Sequence, residues 1–93
     1  MIKSFADRET EALFNEQSVR KLPEPICRRA MAKLQILGNA AHLSDCALPP
    51  GNRLEALSGT RAGQHSIRIN DQWRVCFRWQ DGDAFEVEIV DYH

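Results

Sequence analysis

Hydrophobic residues recur along this chain at two spacings, and the change from one to the other divides it. In the first half Ile26, Ala30, Leu34, Leu37 and Ala41 follow the helical period, which predicts a helix with one stripe inward and Arg28, Arg29 and Lys33 in water. Pro25 suits its first turn. A shorter helix is expected before it, N-capped by Asp7 and running through Thr10, Leu13, Phe14 and Gln17, with Leu13 and Phe14 toward the core. Ile2 to Phe5 reads as a short edge strand. Leu48-Pro49-Pro50-Gly51-Asn52 is a loop, because two prolines and a glycine offer neither ladder donors nor helical backbone angles.

Beyond that loop the period drops to two. Ile67 and Ile69 alternate with Ser66, Arg68 and Asn70; Trp73, Val75, Phe77 and Trp79 alternate with Arg74, Cys76 and Arg78. Asp81-Gly82 marks a hairpin, after which Phe85, Val87 and Ile89 mirror the apolar face. The fold class expected is α+β, one domain over residues 1–93, with two N-terminal helices packed on one face of a small antiparallel sheet. Leu54 and Leu57 are expected to point inward. Chemistry then belongs on the other face, where Arg68, Arg74 and Arg78 project and where the loop Gly59-Thr60-Arg61-Ala62-Gly63 adds a further guanidinium. Glu55 lies just ahead, either as a base or as a solvated surface carboxylate.

Charge sharpens this picture. The net charge is only -1, yet residues 52–79 carry Arg53, Arg61, Arg68, Arg74 and Arg78 against Glu55 and Asp71, while residues 80–93 carry only acids. A general nucleic-acid binder is normally basic overall, so any RNA contact here is expected to be local or helped by a larger partner. Arginine suits bidentate phosphate contacts; it equally suits pairing with Glu86 and Glu88 on a neighbouring strand. Cys27, Cys46 and Cys76 form no Cys-x-x-Cys spacing, which argues against a disulfide framework or zinc site and for small buried fillers. His42 and His65 read as surface or packing residues. No segment reaches the roughly 18 apolar residues of a membrane span, and no secretory leader is visible, so a cytoplasmic protein without membrane association is expected. The run Phe85 to Val90 leads directly into Asp91-Tyr92-His93, three groups able to move or position protons at the end of a strand.

Taken together, Leu54-x-x-Leu57-x-Gly59, Arg61-x-Gly63, Ser66-Ile67-Arg68-Ile69, Trp73-Arg74-Val75-x-Phe77, Asp81-Gly82-Asp83 and Asp91-Tyr92-His93 resemble the HigB toxins of the RelE/ParE superfamily. The likeness spans nearly the whole chain. It implies a RelE-like microbial RNase fold and the toxin half of a type II toxin-antitoxin pair, a ribosome-dependent mRNA endonuclease without metal or other cofactor. The implied partners are a HigA-like helix-turn-helix antitoxin, the ribosome with its mRNA, and operator DNA only through the antitoxin.

By resemblance, Arg74 stabilises the phosphate, Tyr92 stacks on a base or orients the nucleophile, His93 acts as acid or base, and Asp91 sets its position and charge. Arg61, Arg68, Arg78 and Ser58 are the further RNA-contact candidates. Arg28, Arg29 and Lys33, with Arg20 and Lys21 nearby, are the candidates for ribosome contact. The sequence departs from the family where HigB toxins commonly carry a His and a Lys, since Glu55 and Ser58 stand there. A carboxylate and a hydroxyl in place of a base and a cation imply weakened cleavage, with Glu55 as a substitute base and Arg61 compensating in part. Two alternatives share the scaffold: a ParE-like gyrase inhibitor, and a weakly toxic corepressor acting with its antitoxin on operator DNA.

Overall fold

The computed structural model describes residues 1–20 and 22–92. Helix α1 spans Arg8–Phe14 and helix α2 Glu24–Asn39; strands β1 Glu55–Ala56, β2 His65–Arg68, β3 Trp73–Gln80 and β4 Asp83–Asp91 follow, joined in order as an antiparallel sheet β1-β2-β3-β4. The helices come first and cover one face, as the change of period predicts.

Asp7 occupies the N-cap of α1, although its carboxylate makes no capping bond. The helix stops earlier than the sequence pattern suggests. Gln17 N–H donates to Ala12 O and Glu16 N–H to Leu13 O, a Schellman closure with Glu16 at φ 62°, the left-handed conformation that more often falls to glycine. In α2, Ala30, Leu34 and Leu37 are buried as the stripe requires. Ala41 lies past the helix end and is exposed; Ala40 is buried beside the stripe instead. Arg28 and Arg29 are exposed. Lys33, expected in water, is half-buried and donates to Asn52 Oδ1 at 2.5 Å. Desolvation first, and the nearby Arg29 and Arg68 guanidiniums second, lower its pKa.

The residues Ile2 to Phe5 do not form a full strand. Ile2 and Phe5 make isolated parallel bridges to Ala84 and Val87, and backbone bonds in both directions lay this segment along β4. An otherwise open sheet edge is thereby covered. Thr10 Oγ1, buried in α1, accepts the Ile89 N–H from β4 at 3.1 Å.

The core joins Leu34 and Leu37 of α2 to Ile67, Ile69, Val75, Phe77, Val87 and Ile89 of the sheet. Leu54 packs against it; Leu57 is half-buried and lies outside that cluster. Asp81 and Gly82 both take positive φ, the combination a tight β3–β4 hairpin needs. One strand position departs from simple alternation. Glu86 has φ 53° and the β3–β4 register shifts between Cys76 and Arg78, so Phe85 pairs with Arg78 rather than joining Val87 and Ile89 on the helix side. An inserted residue flips everything beyond it to the other face.

Candidate active site

The sheet face turned away from the helices is not fully open. Ser66 and Cys76 are completely buried there, and Arg74 retains 8% exposure. Register explains the grouping: Glu55 lies opposite Ser66, Ser66 opposite Cys76 and Cys76 opposite Glu88, while Arg68 lies opposite Arg74 and Arg74 opposite Val90. Two cross-strand rows therefore place Glu55, Ser66, Arg68 and Arg74 side by side.

Arg74 is the anchored member. Its Nε donates to Ser66 Oγ at 2.7 Å, and its Nη2 donates to Arg53 O at 2.7 Å and pairs with Glu55 Oε1 at 3.0 Å. None of these contacts uses Nη1. The Arg53 carbonyl is aimed by local backbone geometry, because Arg53 takes a left-handed conformation after the turn Pro50–Asn52. Asn52 holds that turn from inside; it is fully buried and its amide donates to Cys46 O and Leu48 O.

The chain beyond β4 closes the other side. Tyr92 N–H donates to Gln72 O at 2.5 Å, extending the β3–β4 pairing, and Gln72 Nε2 donates to Asp91 Oδ2 at 3.1 Å. Gln72 is itself placed by a turn in which Asn70 Oδ1 accepts the N–H groups of Gln72 and Trp73. The Tyr92 ring then sits 5.9 Å from Arg74 Cζ, within reach of a cation–π contact. His93 lies outside the described residues.

A cleft of about 510 Å³ results, lined by Arg53, Leu54, Glu55, Arg68, Arg74 and Tyr92 together with the Asn70-Asp71 turn. A second hollow of about 350 Å³ lies on the far side of Tyr92, among Ser58, Thr60, Arg61, Val90 and Asp91. Of the residues singled out from the sequence, the structure brings Glu55, Arg68, Arg74 and Tyr92 together in one cleft. Ser58, Arg61 and Asp91 belong to its neighbour. Arg78 lines neither, being exposed and ion-paired with Glu86 at 2.5 Å.

Arg61 and Arg68 are partnered as well. Arg61 pairs with Glu88 at 2.7 Å, both half-buried, and its side-chain bond to Glu88 raises an already high pKa. Arg68 pairs with Asp71, an almost fully exposed carboxylate. The pairing with Glu86 and Glu88 weighed against phosphate contact is thus present for Arg78 and Arg61. Gly63 shows how closely the glycine loop packs, since a Cβ there would lie 2.9 Å from Arg78 Nη1 and φ is 91°. Ser66 and Arg53, the two anchors of Arg74, are missed by sequence reasoning. Antiparallel pairing places Ser66 diagonal to Arg74, a signal readable only once the register is known.

Residues 3–93 match the family described as RelE-like toxin of type II toxin-antitoxin system HigB. The chain belongs to the HigB toxins. This toxin is 40% identical over 85 residues to Toxin HigB-1 of Vibrio cholerae, covering 90% of each chain. It is 31% identical over 97 residues to the Endoribonuclease HigB of Proteus vulgaris, covering all of both. Among solved structures, the YoeB-YefM complex from Staphylococcus aureus matches with a TM-score of 0.61 at 18% identity, over all of this chain and 98% of the other, which supports the RelE-like fold. No helix among the described residues of the toxin is long and apolar enough to cross a membrane.

Proposed function

We propose that this toxin is a metal-independent endoribonuclease that cuts mRNA on the ribosome and is restrained by a HigA-like helix-turn-helix antitoxin. The observation that carries the reading is the anchored Arg74 guanidinium in a cleft with Tyr92 at 5.9 Å. The Proteus vulgaris relative, named an endoribonuclease, supports it. Operator DNA is reached through the antitoxin alone.

Strand scission within RNA requires a base for the 2'-OH, a cation for the charge that grows on phosphorus, and an acid for the departing 5'-oxygen. Arg74 supplies the cation, with its planar fork held by Ser66 and the Arg53 carbonyl before substrate arrives. Tyr92 stacks on a neighbouring base. Asp91 and His93 handle the protons. Arg61 and Arg68, at the two hollows beside Tyr92, guide the flanking phosphates, while Arg78 and Ser58 lie at the margins. Glu55 and Ser58 in place of the His and Lys common in the family lower the activity, because neither adds positive charge.

The ribosome contributes alignment. A domain with net charge -1 gathers little free RNA, whereas a codon already held in place removes much of the entropy cost of bringing 2'-oxygen, phosphorus and leaving oxygen into line. Exposed Arg28 and Arg29 face the ribosomal RNA. Primer extension on translated message tests the reading: wild type generates new ends at codons and Arg74→Ala does not. An absence of such ends with folded wild type, alongside inhibition of gyrase or repression at the operator, would select one of the other two activities.

A further inference from the structure

Building on that reading of the cleft, we infer that Glu55 is an internal stand-in for the substrate phosphate: its carboxylate occupies the anion position of Arg74 and must be displaced for RNA to enter. The geometry separates a fixed partner from a movable one. The Arg74 side chain is 9% exposed and held by Ser66 and Arg53, whereas the Glu55 side chain is 55% exposed at the mouth of the cleft. Glu55 also stands on the two-residue edge strand β1, paired only with β2. Rotation of its side chain into water breaks the ion pair and leaves both anchors of the guanidinium intact.

Charge explains why displacement matters. Among the described residues lining the cleft, Arg53, Arg68 and Arg74 oppose Glu55 and Asp71, so three positive charges against two negative leave +1. Neutralising Glu55 makes it +2. Carboxylate and phosphodiester oxygens fit the same guanidinium fork, so the two anions compete for Nη2. RNA binding is accordingly weakened by Glu55, and the residue sets the strength of the toxin. As the catalytic base it would have the opposite effect on turnover.

The test is anisotropy at low salt with a labelled single-stranded DNA oligonucleotide, which has phosphates but no 2'-OH to attack. Glu55→Gln keeps the shape and removes the charge; it is expected to bind about two- to fivefold tighter than wild type, a change typical of one partly exposed ion pair. That gain should vanish when Arg74→Gln is added. Glu55→Asp, with its carboxylate drawn back by one methylene, should fall between wild type and Glu55→Gln, and serves as the comparison if the Arg74 variant does not fold. Equal or weaker binding by folded Glu55→Gln, or a gain that persists without Arg74, would overturn the inference. Ribosomal cleavage provides the second arm. Tighter binding by Glu55→Gln with no cleavage by either protein would leave the inference standing and end the endonuclease reading. Cleavage by wild type that folded Glu55→Gln abolishes, together with equal or weaker binding, would do the reverse and make Glu55 the base.

Discussion

Arg74 Nε and Ser66 Oγ are 2.7 Å apart, a bond between β3 and β2 that fixes the plane of the guanidinium. A charged, buried donor without a partner is costly. Ser66→Ala should therefore lower stability by about 1.5–3 kcal/mol, the usual range for a hydrogen bond to a charged group. It should also reduce cleavage at least tenfold through loss of alignment. Urea denaturation beside a cleavage assay measures both; an unchanged rate with the full stability loss would make Ser66 purely structural.

Arg74→Lys keeps the charge and loses the fork. A single ammonium cannot reach Ser66 Oγ and Arg53 O while meeting phosphate, so cleavage should fall by about two to three orders of magnitude, the scale of a lost charge-stabilising group. Retention of most activity would show that charge alone suffices.

Tyr92 offers its ring to Arg74, 5.9 Å from Cζ. Tyr92→Phe is expected to stay within about threefold of wild type and Tyr92→Ala to lose about tenfold or more, in line with base–aromatic stacking energies. Growth arrest on induced expression, read with message integrity, distinguishes them. Equal losses in both variants would assign the role to the hydroxyl.

Thr10 and Ile89 supply a control remote from the cleft. Thr10→Val keeps the shape of the side chain and deprives the buried Ile89 N–H of its acceptor. Stability should drop by about 1–3 kcal/mol with oligonucleotide affinity unchanged. A matching change in affinity would reveal coupling between α1 and the site.

Burial pushes the Cys46 thiol up to about 11 from its ordinary 9.0, and burial also raises Cys76. The folded protein therefore retains protons that the unfolded chain loses. This contribution to stability is complete below pH 9 and declines as pH rises toward 11. Urea midpoints at pH 8 and pH 10 should differ, and Cys46→Ala should reduce the difference. At pH 8 neither thiol should react quickly with a disulfide reagent until the protein unfolds.

Which parts of the site were legible follows from how far each signal travels along the chain. The strand arginine and the terminal Asp91-Tyr92-His93 are local patterns, and Arg74 and Tyr92 do meet across the cleft. Lys33 looked solvated because helical spacing reports only which face a residue occupies; the Asn52 acceptor comes from a loop 19 residues away. Phe85 looked like core because strict alternation has no way to register the bulge at Glu86.

From residue order alone came the two helices, the meander, the tight Asp81-Gly82 turn and the family, since periodicity, proline and glycine act through neighbours a few positions apart. Tertiary structure alone decided that Arg74 is buried, that Ser66 and the Arg53 carbonyl hold it, and that Glu55 already sits on it. Those contacts depend on strand register and on a left-handed backbone at Arg53, and both are settled only when distant segments pack against one another.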